Sequence, residues 1–114
     1  YDIGIAELDI QHADMDLLLS KLSEESLSQV TKEESFELFI KAASSHFDFE
    51  EKWGQANNKN LDSDHRGSHK ELLEKLNELY NQYTNNRLKM CEISLTAKME
   101  LLKHVQDHDM RLNV

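Results

Sequence analysis

Histidine is the residue type in this sequence that points most directly to chemistry. The chain of 114 residues contains six histidines. His65 and His69 form an i, i+4 pair, and His46 stands four residues before Glu50. Side chains at i and i+4 project from one face of an α-helix, within reach of a single ion. The spacing therefore indicates metal binding by imidazole and carboxylate groups.

These polar residues fall on apolar stripes that have the 3–4 spacing of an α-helix. His12 lies four positions after Leu8, and His104 lies three positions after Leu101. A single inward histidine is more often a hydrogen-bonded core residue, but five inward histidines on four helices favour a bound metal. An ionised carboxylate buried without a partner costs several kcal/mol, so Glu50 needs a cation. The lysines and arginines lie mostly off the stripes, and the simplest cation is a metal ion.

Four amphipathic helices must position these side chains. We predict them over residues 10–26, 32–56, 62–84 and 92–112. Thr31 with Glu34 three residues later has the spacing of an N-terminal capping box, and Asp62 or Ser63 can cap the third helix. Gly54 is expected to loosen the end of the second helix. Short loops between helices of similar length favour antiparallel neighbours, so the predicted fold class is all-α, an up-down-up-down antiparallel four-helix bundle.

Composition and charge agree with a helical protein and exclude several classes of partner. The sequence has no proline and only three glycines, which suits long helices. Its 13 basic and 22 acidic residues leave a formal charge of −9, and such a surface repels nucleic acid and anionic lipid. No apolar run approaches the roughly 20 residues of a membrane span, and no signal peptide is visible. We therefore expect neither nucleic-acid binding nor membrane insertion.

The length fits one domain spanning residues 1–114. The chain begins with Tyr1, and helical pattern runs almost to Val114, as expected for a domain excised from a longer signalling protein. Cys91 is the only cysteine, so no intrachain disulfide exists. That composition fits a reducing compartment, and we expect a cytoplasmic location.

The number and type of the donor groups bear on the metal. Five imidazoles together with carboxylates are too many for one tetrahedral zinc site. The sequence lacks the His-Glu-x-x-His motif of zinc hydrolases and the Glu-x-x-His motif of ferritin-like sites. Imidazole with carboxylate suits iron. Two ions joined by shared carboxylates would use all the groups.

The ordered set of motifs resembles the hemerythrins, in particular the bacterial hemerythrin domains, over essentially the whole chain. The matching segments are Ile3-Gly4-Ile5 with Asp9-x-Gln11-His12, His46-Phe47-x-x-Glu50-Glu51, His65-x-x-x-His69 and His104-x-x-x-x-Asp109. The resemblance implies two iron ions with an oxo or hydroxo bridge, and dioxygen as their ligand.

The resemblance also implies a role for each metal ligand. His65, His69 and His104 correspond to the ligands of a coordinatively full iron. His12 and His46 correspond to the ligands of the iron that keeps an open position. Glu50 and Asp109 correspond to bridging carboxylates. Spacing alone would choose His108, because Asp109 lies five residues after His104, about 140° round an ideal helix; the family pattern selects Asp109.

The resemblance implies an oxygen pocket built from apolar residues close to the ligands. These residues are Met15, Phe47, Leu101 and Val105. The family usually carries tryptophan one turn before the last histidine, where this chain has Glu100. A carboxylate near the pocket would admit water or add charge, and we expect irreversible oxidation of the ferrous pair to be more rapid than in a dedicated oxygen carrier.

The expected function is reversible oxygen binding by a sensor domain for oxygen or redox state. Its partners would be dioxygen and an output domain in the full-length chain. A stand-alone oxygen carrier or storage protein is the first alternative. A di-iron peroxidase, oxidase or nitric-oxide reductase is the second. The sequence shows no substrate pocket and no dedicated acid–base residue other than the candidate Glu100, so we expect no enzyme. A purely structural bundle is the third.

Overall fold

The computed structural model describes residues 3–113, and this part of the chain is all-helical, as the sequence predicts. It contains four α-helices and no strand. The helices are α1 (Ala6–Ser20), α2 (Gln29–Ala56), α3 (Ser63–Thr84) and α4 (Met90–Asp107). Short 3-10 turns follow α1 at Lys21–Ser23 and α4 at Asp109–Asn113. No helix in the described range is long and apolar enough to cross a membrane.

The first helix begins four residues earlier than the predicted residue 10, and a local cap explains the difference. The backbone N–H groups of Ile3 and Gly4 donate to the two carboxylate oxygens of Asp9, over 2.7 and 3.1 Å. Gly4 has a φ of 88°, in the left-handed region that favours glycine. The chain therefore turns at Gly4 and enters the helix at Ala6.

Side-chain caps start the second and third helices. Ser28, not the predicted Thr31, caps α2, because its hydroxyl accepts the backbone N–H of Thr31 over 3.2 Å. Asp62 caps α3 as predicted, and its carboxylate accepts the backbone N–H of His65 over 2.8 Å. Each cap satisfies one of the backbone donors that lack a partner in the first turn of a helix.

The apolar stripes of the four helices form one core. α1 packs against α2 and α4, and α3 packs against the same two helices. The described chain measures 44 × 24 × 19 Å, so the 28 residues of α2, about 42 Å long, span its full length. Leu19, Phe36, Phe39, Leu76 and Ile93 lie at the centre, essentially without solvent contact. Burying such a side chain contributes about 1.5–3 kcal/mol.

Two buried serines complete the C-terminal end of α1. The last four carbonyls of a helix have no partner within it. Ser35 of α2 donates its hydroxyl to the Leu18 carbonyl over 3.0 Å, and Ser94 of α4 donates to the Leu19 carbonyl over 2.9 Å. Both neighbouring helices are therefore fixed to the same turn of α1, at the end remote from His12.

Gly54 lies inside α2, which continues to Ala56, and the following loop folds back over it. The Lys59 backbone N–H donates to the Gly54 carbonyl over 2.7 Å. A Cβ at position 54 would lie 2.5 Å from the Lys59 carbonyl oxygen and 2.8 Å from Leu61 Cδ1. A Cβ at Gly67, in α3, would meet nothing within 4 Å. The two glycines therefore differ in what a methyl group would do.

We expect Gly54→Ala to destabilise the protein by about 1–3 kcal/mol, because backbone must move to admit the methyl group. Gly67→Ala is the matched control and should stabilise it by about 1 kcal/mol, the difference in helix propensity. Urea unfolding followed by circular dichroism measures both. Equal shifts of the same sign would contradict the structure at Gly54.

Candidate metal centre

Seven polar side chains that the sequence singles out converge in the interior near one end of the helices. Each is at most 4% exposed to solvent. They come from all four helices and from the turn after α4. They are His12 of α1, His46 and Glu50 of α2, His65 and His69 of α3, His104 of α4, and Asp109.

The position of Asp109 depends on where α4 ends. The helix stops at Asp107, and His108 has non-helical backbone angles, φ −126° and ψ −58°. A 3-10 turn then begins at Asp109. This change of backbone turns Asp109 into the cluster, although a continued α-helix would point it about 140° away from His104. His108, which spacing alone would choose, is only half-buried and stacks on the His65 ring, with centroids 5.0 Å apart.

The Glu50 carboxylate faces imidazoles on two sides. Its Oε1 lies 2.7 Å from His65 Nε2 and 3.2 Å from His69 Nε2. Its Oε2 lies 3.1 Å from His46 Nε2. One oxygen is therefore directed to the histidines of α3 and the other to the histidine of α2.

The Asp109 carboxylate repeats this arrangement. Its Oδ1 lies 2.9 Å from His65 Nε2 and 3.0 Å from His104 Nε2. Its Oδ2 lies 3.0 Å from His12 Nε2 and 3.9 Å from His46 Nε2. Each carboxylate thus joins a three-histidine group (His65, His69, His104) to a two-histidine group (His12, His46).

Hydrogen bonding within the protein does not account for all of these atoms. Among the described residues, Glu50 Oε2 and His104 Nε2 are buried without a hydrogen bond of acceptable geometry. His12 Nε2 faces His46 Nε2 over 3.2 Å, so at most one of the two can donate in a neutral pair. Buried polar atoms of this kind call for a ligand.

The spacing of these atoms fits metal ions. An octahedral ion with bonds of about 2.1 Å places neighbouring ligand atoms about 3.0 Å apart, and most contacts above have that length. The donors form two overlapping groups, within which the ligand atoms lie no more than 4.8 Å apart. Each group could hold an ion. The first contains Glu50, His65, His69, His104 and Asp109; the second contains His12, His46, Glu50 and Asp109.

The outer nitrogens of two imidazoles are held by neighbouring side chains. His46 Nδ1 donates to the amide oxygen of Gln11 over 2.6 Å. His104 Nδ1 is 2.7 Å from the hydroxyl of Ser68. A proton fixed on Nδ1 leaves the Nε2 lone pair of the neutral ring free to bind metal at the centre. The Gln11 contact therefore selects the metal-binding tautomer of His46, and the Ser68 hydroxyl can accept a hydrogen bond from the Nδ1–H of His104 in the same tautomer.

Ser68 is the residue of this site that sequence reasoning missed. It contacts His104 across 36 positions of the chain, and no local pattern reports such a pairing. Its position beside His69 is the only signal, since it lies next to the inward face of α3. Gln11 belongs to the first motif of the resemblance, but the sequence assigned it no role.

The charges of the cluster shift the pKa values of its members in opposite directions. Burial raises the pKa of Glu50, but the close approach of its carboxylate to the imidazoles of His46, His65 and His69 outweighs burial and lowers it to about 2. The pKa of Asp109 is lowered for the same reason, against the same effect of burial. Burial lowers the pKa of His65, but hydrogen bonds to Asp109 and Glu50 outweigh it and raise it to about 9. Without metal, protons on the imidazoles balance the two carboxylates.

These shifts predict how the stability of the metal-free protein depends on pH. The lowered Glu50 pKa contributes stability that is present above pH 4.5 and is lost as the pH falls through about 2. The raised His65 pKa contributes stability that is present below pH 6.5 and is lost as the pH rises through about 9. The urea concentration at the midpoint of unfolding, measured in the presence of a chelator, should therefore be highest between pH 4.5 and 6.5 and should decrease at lower and at higher pH. His65→Gln should flatten the alkaline side, and a parent midpoint that is constant from pH 6.5 to 9 would contradict the prediction.

The residues predicted to form an oxygen pocket divide into two sets. Met15, Phe47, Leu101 and Val105 are buried. Phe47 stacks on the His69 ring, with centroids 4.2 Å apart and planes 11° apart. Glu100 is only partly buried, and with Ser68, Lys103 and other polar residues it lines an open groove of about 690 Å³ between α3 and α4. The carboxylate of Glu100 therefore faces solvent in a groove that reaches His104.

Fold and site together define an all-helical protein with a buried cluster of histidine, glutamate and aspartate that could bind metal. Comparisons with protein-family models, curated proteins and solved structures find no match for the chain. The particular function must therefore be argued from the residues of the site.

Proposed function

We propose that this chain is a hemerythrin-like domain, an up-down-up-down antiparallel four-helix bundle that binds dioxygen reversibly at two iron ions. The observation that carries the proposal is the placement of two carboxylates, each with one oxygen at the three-histidine group and the other at the two-histidine group. Carboxylates shared in this way suit a pair of ions rather than one. Imidazole with carboxylate suits iron among the transition metals.

The donor count supports an open position at one ion. The three-histidine group offers three imidazole nitrogens and two carboxylate oxygens. The two-histidine group offers two imidazole nitrogens and two carboxylate oxygens, one donor fewer. A pair of ferrous ions held by these donors would supply the electrons that dioxygen binding requires. His12 and His46 would hold the ion that keeps room for an external ligand.

The surrounding side chains support binding without turnover. Phe47 covers His69, and Met15, Leu101 and Val105 are buried apolar residues that exclude water from the interior. Gln11 and Ser68 hold the rings of His46 and His104 in place. We propose a sensor of oxygen or redox state in the cytoplasm, a location that the single cysteine favours. A stand-alone carrier would use the same chemistry.

An enzyme is the alternative that one observation favours. The groove that contains Glu100 connects solvent to the Ser68–His104 contact, and it gives a polar co-substrate an approach to the centre. A di-iron peroxidase or oxidase would need such an approach. Steady-state consumption of hydrogen peroxide by the iron-loaded protein, reduced by Glu100→Gln, would favour this alternative.

The test of the proposal is anaerobic loading of the metal-free protein with ferrous ion. We expect two irons per chain, new visible absorption on exposure to air, and loss of that absorption when oxygen is removed under argon. Metal analysis and optical spectroscopy measure these results. A single zinc per chain in the purified protein, or no spectral change on aeration, would refute the proposed function.

A further inference from the structure

His69 has a buried nitrogen for which the proposed metal centre has no use. Its Nε2 faces the centre, 3.2 Å from Glu50 Oε1. Its Nδ1 lies on the other side of the ring, and among the described residues it has no hydrogen-bond partner. When Nε2 binds metal, Nδ1 carries the proton of the neutral ring. A buried donor left unsatisfied costs about 1–3 kcal/mol, so this N–H group needs an acceptor.

The carboxylate of Glu51 lies close to this nitrogen. Its Oε1 lies 3.8 Å from His69 Nδ1, which is too long for a hydrogen bond. The distance is also too short for a bridging water, because two bonds of about 2.8 Å to one water place their end atoms about 4.5 Å apart. Glu51 is partly exposed and lines an open cavity of about 620 Å³. A rotation of its side chain can therefore close the gap directly.

A carboxylate in this position differs from the partners of two other imidazoles, those of His46 and His104. His46 Nδ1 has the neutral amide of Gln11, and His104 Nδ1 has the neutral hydroxyl of Ser68. A hydrogen bond to an ionised acceptor is roughly twice as strong as one between neutral groups. A carboxylate on the outer nitrogen also makes the imidazole a more basic ligand. A hydrogen bond from His69 to Glu51 would therefore add electron density to one of the two histidine groups.

We propose that Glu51 is a positioning residue that accepts a hydrogen bond from the Nδ1–H of His69 and makes the two ions unequal. The ion held by His65, His69 and His104 is bound more tightly and is more easily oxidised because of it. This inference rests on the proposed two-ion centre. Beyond that centre, it identifies Glu51 as a cause of the difference in affinity and in ease of oxidation between the two ions.

The experiment titrates the metal-free protein with cobalt(II) under argon and resolves two binding steps by calorimetry. Glu51→Gln keeps an acceptor but removes the charge, and we expect one step to weaken about tenfold. Glu51→Ala removes both the acceptor and the charge, and we expect the affinity of the same step to decrease by up to about 100-fold. The other step should not change in either variant. Glu34→Gln, an exposed substitution on the same helix, is the matched control and should leave both steps unchanged.

Two further measurements separate a specific role from a structural one. In the zinc-loaded protein, the Nδ1 proton of His69 should resonate downfield and should move upfield in Glu51→Gln. Gln11→Glu places a carboxylate behind His46, and it should strengthen the other binding step instead. Because this variant leaves Glu51 in place, it remains informative if the Glu51 variants fold poorly.

The outcomes distinguish the inference from the proposed function. If the parent binds two ions and the Glu51 variants change neither binding step nor the proton resonance, the inference is overturned and the two-ion centre stands. Gln11→Glu with parent-like binding would also overturn it. If the parent binds fewer than two ions, the proposed function fails and the inference fails with it.

Discussion

Asp109→Asn is expected to reduce the metal content of the loaded protein from two ions per chain to one at most. Asp109 directs Oδ1 to His65 and His104 and Oδ2 to His12. Asparagine keeps one oxygen and replaces the other by an amide nitrogen, which donates hydrogen bonds and does not bind metal. The substitution therefore removes a ligand atom, one negative charge and the link between the two histidine groups. Changes outside the ligand set already cost about 10–100-fold in affinity, so we expect a loss of more than about 100-fold for the weaker ion.

Metal analysis after anaerobic loading and gel filtration measures this loss. Asp107→Asn is the matched control, because it removes the same charge two residues earlier from an exposed side chain at the end of α4. The control should retain two ions. Two ions in Asp109→Asn, bound with parent affinity, would show that Asp109 does not bridge and would remove the main support for the proposed function.

The helical pattern was enough to predict most of the elements. Polar residues placed four apart within apolar stripes identified the inward faces of α2 and α3, and the structure brings His46, Glu50, His65 and His69 together. The predicted end of α2 at residue 56 and that of α3 at residue 84 agree with the structure. Periodicity works here because the same stripe that packs the core also presents the imidazoles.

The parts that helical periodicity could not predict, among them Asp109, which only the resemblance selected, depend on contacts between distant residues or on the ends of helices. Asp109 enters the cluster only because α4 stops at Asp107, and its helical spacing from His104 pointed elsewhere. The predicted helix over residues 92–112 was wrong at this end. Ser68 supports His104 from another helix. Gly54 was expected to loosen α2, whereas it makes room for the Lys59 backbone inside a continuous helix.

The same interior that can hold metal is costly without it. The seven polar side chains of the cluster are buried, and in the metal-free protein protons on its imidazoles offset its two carboxylates. Polar groups buried in this way contribute less to stability than well-packed apolar residues of similar volume. The hydrophobic core around Phe36, Leu76 and Ile93 must therefore support the end of the bundle that contains the cluster.

Metal loading is accordingly expected to raise the free energy of unfolding by about 4 kcal/mol when the free ion is present at roughly 1,000 times its dissociation constant. For a chain of this length the change corresponds to an increase of roughly 15 °C in the midpoint of thermal unfolding. The physical reason is that the ion binds the assembled donors of four helices and has no comparable site in the unfolded chain. Ferrous or cobalt(II) ion under argon should produce the effect, and Mg²⁺, which prefers oxygen ligands, should not.

Thermal unfolding followed by circular dichroism measures the effect in the parent and in Asp109→Asn, with and without metal. The variant should lose most of the stabilisation by metal, because the donors of its two histidine groups are no longer joined. Equal midpoints for the loaded and metal-free parent would mean that the cluster holds no ion under these conditions. Equal gains in the parent and in Asp109→Asn would mean that the metal binds elsewhere, since Asp109 contacts both histidine groups.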